Sequence, residues 1–261
     1  MVFELDFLWL GLYQVFAFFV QGVTGFGCTV LSAPFHSEVL GPQVGTAYAT
    51  LLTIPVLIFL GVKEIKNVAW KDLLKIVLLC APGILLGNFL LGSIDVAVAK
   101  VAIGTMVTFI ALMNIYKHII APLVLKKETK EDAPDTPMKK FFRYAALIVG
   151  GIVHGAFTIG GPLITVYTLE AVKDKEKFRN TMTWVWIVLN IYNAGNHIAS
   201  GLYTPEMLGA SAIGLPLSLI GLLIGMKVLS RIQRITFLRA VYIVLLIIGV
   251  DMLIRNVPAL F

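Results

Sequence analysis

Long apolar stretches, separated by short polar or charged segments, extend along the whole chain. They lie at roughly 7–36, 40–62, 73–92, 96–116, 141–171, 180–200, 205–226 and 236–254. Most of them have the ~20 residues with which an α-helix crosses a bilayer. The pattern therefore predicts an all-α polytopic membrane protein without a separate soluble domain.

The first and fifth stretches are too long for a simple crossing. Each has about 30 residues, which in a straight helix would measure ~45 Å against a hydrocarbon thickness of ~30 Å. Each also has glycines near its middle, in QGVTGFGC at 21–28 and in HGAFTIGG at 154–161. We expect both helices to break there.

The two halves of the chain resemble each other at a nearly constant offset. QGVTGFGC aligns with HGAFTIGG at an offset of 133, and APGILLG at 81–87 aligns with LPLSLIG at 215–221 at an offset of 134. The charged segment KKETKEDAPDTPMKK lies between the matching regions, at 126–140. We predict an N-terminal repeat (1–120), a cytoplasmic linker (121–140) and a C-terminal repeat (141–261) that form one transport domain, as in many transporters.

Composition supports the membrane class. The residues are 58% hydrophobic and 14% charged, whereas about 25% are charged in soluble domains. A net charge of +6 could suggest nucleic acid, but Lys and Arg also accumulate in the cytoplasmic loops of membrane proteins. No nucleic-acid partner is predicted.

The distribution of Lys and Arg distinguishes two topologies. If every apolar stretch crosses once, the 21 basic residues divide almost evenly, twelve against nine. If the two long stretches enter and leave on the same face, all but Lys100 and Arg255 fall on one side. The positive-inside rule favours this second topology, with that side in the cytoplasm.

The favoured topology gives each half a broken or re-entrant helical hairpin plus three transmembrane helices. Because three is an odd number, the halves are predicted to be inverted repeats, with both termini outside. A pair of short full crossings in place of each hairpin would give the same parity, so this alternative stays open.

A helix that restarts inside the membrane presents N–H groups and its positive dipole end, a combination that binds anions. In the second half, Gly160 and Gly161 permit the turn and Pro162 suits the first helical position. In the first half the tip is predicted at 24–28, with a new helix from about Thr29. The tips are expected to meet near the bilayer midplane. The alternative is that the glycines only allow close helix packing.

Other polar residues are predicted at membrane depth. Gln21 and His154 occupy equivalent positions beside the tips, where each could contact substrate or form a hydrogen bond within the fold; His154 could also carry a proton. Asn190 and Asn193, continued by residues 196–197, lie close to one helical face that either lines a cavity or packs on another helix. The tryptophans suit interfacial belts; they are Trp9, Trp70, Trp184 and Trp186.

Sequence signatures of enzymes and metal sites do not occur. The chain has no HExxH, CxxC, GxSxG or P-loop motif and no intramembrane carboxylate cluster. We therefore predict no catalytic residue, no metal, no cofactor and no ATP hydrolysis by this chain.

The segments GVTGFGCTVLSAP at 22–34 and GAFTIGGPLITVY at 155–167 resemble the sulfite exporter TauE/SafE family, and the resemblance covers essentially the whole chain. The family implies export of sulfur-containing anions, such as sulfite, sulfoacetate and related organosulfonates, across the plasma membrane, the inner membrane of a bacterium. The matching motif residues are Gly22, Gly25, Gly27 and Pro34, and Gly155, Gly160, Gly161 and Pro162. Cys28 departs from the pattern, since the family often has glycine there.

The combined hypothesis is a secondary transporter of small sulfur-containing anions that works by alternating access. Its partners are the lipid bilayer and a small anion, protons are a candidate coupling ion, and the oligomeric state is not predicted. The expected substrate-binding residues are Gln21, Gly22, Thr24, Gly25, Phe26, Gly27, Cys28, Thr29, His154, Gly155, Thr158, Ile159, Gly160, Gly161, Asn190 and Asn193. The alternatives are a passive anion channel and, with weaker support, an intramembrane enzyme or assembly factor that uses His154 and His197.

Overall fold

The computed structural model describes residues 2–29, 31–32, 36, 40, 42–90, 96–126, 136–157 and 160–260. These residues form helices joined by short connections, and the described part of the chain contains no β-strand. The structure therefore confirms the all-α prediction.

The helices follow the apolar stretches, with some ends displaced. They are α1 (Val2–Thr24), α2 (Pro42–Lys63), α3 (Trp70–Leu90), α4 (Val96–Ile115), α5 (Pro137–Phe157), α6 (Gly161–Ala171), α7 (Lys175–Ala199), α8 (Pro205–Arg231) and α9 (Arg234–Asn256). α4 continues through a π-helical segment, Tyr116–Ile120, and α9 continues into a 3₁₀ turn, Val257–Leu260. Residues 28–29 and 31–32 are also helical and follow α1 after an interruption.

The apolar helices and their outward-facing side chains are consistent with the predicted membrane class. Met207–Arg231 and Arg234–Ala259 have the length and hydropathy of complete spans, and Trp9–Thr24, Ala47–Lys63 and Val107–Leu123 are shorter apolar helices. Large side chains such as Phe109, Leu85 and Ile254 are more than half exposed. Such exposure is unfavourable in water and suits a lipid environment.

The described helices belong to two compact units. Unit 1 contains Met1–Leu78 and Thr168–Arg231, and unit 2 contains Leu79–Tyr167 and Ile232–Phe261. Each unit therefore takes helices from both predicted repeats. Compactness and sequence duplication are different properties, so the repeat boundaries stay a prediction.

In unit 1, α1 and α8 run parallel and approach backbone to backbone. A Cβ atom on Gly221 would overlap the carbonyl oxygen of Val15, and one on Gly225 would overlap that of Phe19. Since the residue numbers rise together on the two helices, they point the same way. Small residues at such positions let membrane helices pack closely.

In unit 2, α3 and α5 form a second parallel seam of the same kind. A Cβ atom on Gly151 would overlap the carbonyl oxygen of Cys80, and one on Gly155 would overlap that of Ile84. The Cys80 thiol also donates to the carbonyl oxygen of Leu147 at 3.3 Å. The packing glycines therefore fix the distance between these two helices.

Two glycines that were expected to bind substrate lie in these seams. Gly22 faces α8, where a Cβ atom would be 2.5 Å from the carbonyl oxygen of Leu222, and Gly155 faces α3. For these two positions the structure supports the close-packing alternative. α1 ends two residues after Gly22, and α5 ends two residues after Gly155.

Candidate functional site

The first long stretch breaks where the sequence predicts. α1 ends at Thr24, and the helix resumes at Cys28. Gly25 and Gly27 have φ values of 81° and 101°, in the region that glycine adopts without the steric cost of a side chain. The amide of Leu31 donates to the carbonyl oxygen of Gly27 at 2.9 Å, which makes Gly27 the residue that opens the returning helix.

Gln21 bridges this break with both ends of its side chain. Its Nε2 donates to the carbonyl oxygen of Gly25 at 3.0 Å, and its Oε1 accepts from the amide of Cys28 at 3.3 Å. The side chain is 2% exposed. Gln21 thus has hydrogen bonds within its own segment, and it occupies one of the amides that a bare helix terminus would offer to an anion.

Thr24 and Phe26 also hold the turn together. Thr24 Oγ1 lies 2.8 Å from the carbonyl oxygens of Val20 and Phe26, and its single hydrogen can serve one of them at a time. The Phe26 ring is fully buried. Both residues therefore stabilise the turn at the break. Their contact with substrate stays a prediction.

Thr29 and Cys28 lie at the start of the returning helix. The Cys28 thiol is buried, 3.8 Å from the hydroxyl of Thr29, and close to the side chain of Thr53 on α2. The Thr29 side chain is half-buried. Thr29 is therefore partly accessible in the first turn of the returning helix, whereas Thr24 is buried.

Helix α7 packs against the first break at Gly25. Trp186 Nε1 donates to the carbonyl oxygen of Gly25 at 2.8 Å, so Trp186 is a buried structural residue and not part of an interfacial belt. A Cβ atom on Gly25 would lie 3.0 Å from the Cα of Arg179. Asn190 and Asn193 are buried and continue the Trp186 face at i+4 and i+7.

The first break lies towards one end of unit 1. It packs on the first turns of α7, and there the amide of Ala69, in the connection between α2 and α3, donates to Thr181 Oγ1 at 2.9 Å. The apolar part of α1, residues 7–24, measures about 27 Å at 1.5 Å per residue. Both observations place the break near the end of unit 1 that carries the α2–α3 connection, here called the loop side, and not at the middle of its helices, where the sequence predicts the tip.

The second break repeats the helix-opening bond of the first. α5 ends at Phe157 and α6 begins at Gly161, one residue before the predicted restart. The amide of Ile164 donates to the carbonyl oxygen of Gly160 at 3.2 Å. Its donor and its acceptor each lie 133 positions after those of the Leu31–Gly27 bond. Thr158 and Ile159, which were also expected to contact substrate, lie outside the described residues.

His154 lies directly beside this second break. It is 3% exposed, and a Cβ atom on Gly160 would be 2.7 Å from the His154 Cβ and would overlap the carbonyl oxygen of Gly150. One turn into α6, the hydroxyl of Thr165 is fully buried and has no hydrogen-bond partner among the described residues. In the aligned repeats Thr165 corresponds to Ser32, which is also buried.

The comparison with family models decides the assignment. The model described as "Sulfite exporter TauE/SafE" matches residues 10–252. The chain belongs to the TauE/SafE sulfite exporter family. Searches of the curated proteins and of the solved structures find no significant match.

Membership of the TauE/SafE family makes the chain a membrane anion exporter at the level of its family, which comprises transporters and not enzymes. Among the described residues, no group of three or more His, Cys, Asp or Glu side chains could hold a metal ion. The interrupted stretches 22–34 and 155–167, on which the resemblance rests, both lie within the matched region.

The sequence of this TauE/SafE protein did not predict where two residues near the first break lie. Arg179 was counted with the cytoplasmic loop charges, but it lies in the second turn of α7 and is 4% exposed. Trp186 was assigned to the membrane interface, but it is buried against Gly25. No periodic pattern marks either residue, because each is placed by contact with a distant segment.

Proposed function

We propose that this protein is a secondary transporter that exports small sulfur-containing anions, such as sulfite, sulfoacetate or other organosulfonates, by alternating access. The observation that carries the proposal is the pair of helix breaks, each with the same opening bond to a buried glycine carbonyl. A returning helix that starts inside a membrane protein offers donors to an anion without a fixed counter-charge. This arrangement can bind an anion and also release it.

Each break offers its own set of donors to an anion. At the first break these are the hydroxyl of Thr29 and the amides that open the returning helix, with Gln21 and Thr24 maintaining the turn. At the second they are the amides at the start of α6 and the hydroxyl of Thr165. Pro162 has no N–H group, so Gly161 and Leu163 supply the first amides of α6.

A difference between the two glycine seams supports alternating access. Under the duplication, Gly22 corresponds to Gly155 and Leu222 to Asn88. Gly22 faces the carbonyl of Leu222, whereas Gly155 faces the carbonyl of Ile84, four positions before Asn88. The two seams therefore differ in register by about one helical turn, ~5.4 Å.

A second pair of contacts gives the same shift. In the first seam Gly221 faces Val15. The equivalents of these two residues are Gly87 and Ile148, but in the second seam Ile148 is faced by Gly83, four positions before Gly87. One-turn displacements of packed helices are a known form of conformational switch. We propose that the transport cycle exchanges the two registers, so that each seam adopts in turn the packing of the other.

Direction follows from charge. Export of an anion from a cell with a negative interior is favoured by ~2.3 kcal/mol per charge at 100 mV. Such export needs no coupling ion to proceed. Transport measured at different pH gradients tests whether protons are coupled to it through His154.

Counterflow in vesicles containing the purified protein tests the proposal. Vesicles loaded with unlabelled sulfoacetate should take up labelled sulfoacetate transiently above equilibrium, with saturation, and sulfite should compete. Flux that neither saturates nor shows counterflow would identify a passive anion channel. Transport of a cation or neutral solute, with no oxyanion transport, would contradict the proposal.

A further inference from the structure

We propose that Arg179 and Asn180 form an anion-binding pair on the loop side of the first break, which receives the sulfonate or sulfite group and determines selectivity for oxyanions. The inference rests on the proposed function, because it names residues that would hold the same substrate. It adds a fixed positive charge to a site for which the sequence predicts only backbone and hydroxyl donors.

The first support is the bonding of the guanidinium group. Arg179 is 4% exposed and Asn180 is 1% exposed. Nε and Nη2 of Arg179 donate to Asn180 Oδ1 at 3.0 and 2.7 Å. The direct partner of this buried cation is therefore a neutral amide oxygen.

The second support is the electrostatic imbalance that this bonding leaves. A buried charge is costly unless it is paired. Glu64 and Glu176 are near enough for their charges to act on Arg179, but within the described part of the chain neither carboxylate forms an ion pair with it. The cation also lies near the start of α7, where the helix dipole disfavours positive charge. An anion bound here would give the guanidinium a direct charge partner and would interact favourably with the dipole at this end of α7.

The third support is a set of unused donors. Asn180 Nδ2 is buried and has no hydrogen-bond partner among the described residues. The guanidinium has five N–H donors in a planar fork, and the bonds to Asn180 Oδ1 use only some of them. A ligand that fits must present several acceptor oxygens on one charged group. Sulfonate and sulfite do so, whereas halides and amines do not.

The pair is joined to the break through the backbone. The Cα of Arg179 lies against Gly25, and Trp186 on the same helix donates to the carbonyl oxygen of Gly25. Asn180 precedes Thr181, which bonds to the connection between α2 and α3. Arg179 and Asn180 therefore adjoin both the first break and that basic connection, which the distribution of Lys and Arg predicts to lie on the cytoplasmic side.

The test measures the affinity of the purified, full-length protein for sulfoacetate by calorimetry, together with its thermal unfolding without ligand. Arg179→Gln should weaken binding at least about tenfold, because a charge-assisted hydrogen bond is lost. Arg179→Lys should give an intermediate affinity, since a lysine cannot form the planar fork. Lys177→Gln is the matched control: it removes one charge two positions away, at an exposed site, and should change little.

Asn180→Asp separates a binding role from a structural one. The new carboxylate would pair with Arg179, so the protein without ligand should be at least as stable as wild type, while sulfoacetate binding should fall at least about tenfold. If Asn180→Asp and Arg179→Gln fold and bind sulfoacetate like wild type, the pair is structural and the inference is wrong. If wild type itself neither binds nor transports sulfoacetate or sulfite, the proposed function fails.

Discussion

The two helix breaks share a sequence pattern but are held in different ways. The first is held by side chains, since Gln21, Thr24 and Trp186 all bond to carbonyl or amide groups of the turn. In the second, the contacts seen among the described residues are those of close packing, since Gly160 lies against the backbone of Gly150 and the Cβ of His154. The comparison shows that duplication preserves the position of a break and its opening bond, while the contacts of the described residues around the two breaks differ.

The largest effect is expected at Gly160, where close packing supports the second break. In Gly160→Ala the new methyl would overlap the carbonyl oxygen of Gly150 and press on His154, so stability should fall by more than about 4 kcal/mol. Urea unfolding in mixed micelles measures this loss. Gly209→Ala is the control, because nothing lies near a Cβ atom there and alanine favours a helix. Equal stability of the two variants would contradict packing support.

Gly25→Ala should have the next largest effect. It places a side chain at a φ of 81° and 3.0 Å from the Cα of Arg179. Left-handed backbone costs about 1–2 kcal/mol for a non-glycine residue, so we expect a total loss of about 2–3 kcal/mol in the same unfolding experiment. A neutral result would mean that the first turn has a different backbone conformation.

Gln21→Leu tests whether side chains hold the first break. The substitution removes the donor to Gly25 and the acceptor for the Cys28 amide, and should cost about 2 kcal/mol. If Gln21→Leu unfolds like wild type, the bridge contributes nothing and the contrast between the breaks is lost.

Trp186→Phe should have the smallest effect. It removes one hydrogen bond to the carbonyl oxygen of Gly25, which also accepts from Gln21, so that the oxygen keeps a partner. We expect a loss of about 1 kcal/mol of stability. Combined with Gln21→Leu, the loss should exceed the sum of the two single losses, because the Gly25 carbonyl oxygen then has neither side-chain donor. Simple additivity of the two changes would indicate that the bonds act independently.

The sequence was sufficient for the features that depend on local chemistry. Glycine content and over-long apolar stretches predicted both interruptions, and Pro162 marked the start of α6 to within one residue. The ends of apolar stretches are not the ends of helices, however. α7 begins at Lys175, within residues assigned to a loop, because the N-cap Asp174 and helix-compatible charged residues extend it.

Tertiary contacts were the part that the sequence could not supply. Glycines in GVTGFGC and GAFTIGG look alike, but Gly22 and Gly155 pack helices together while Gly25 and Gly160 form the breaks. Which role a glycine has depends on the helix that approaches it. The same reason explains why Arg179 and Trp186 were not recognised as neighbours of Gly25.

A density map of the full-length protein with bound bromoethanesulfonate tests the central claim most directly, because the bromine atom marks the ligand unambiguously. The account predicts sulfonate oxygens within hydrogen-bond distance of Thr29, of the first amides of α6 and Thr165, or of the Arg179–Asn180 pair. Sulfonate bound only at positions away from both breaks and from that pair would contradict it.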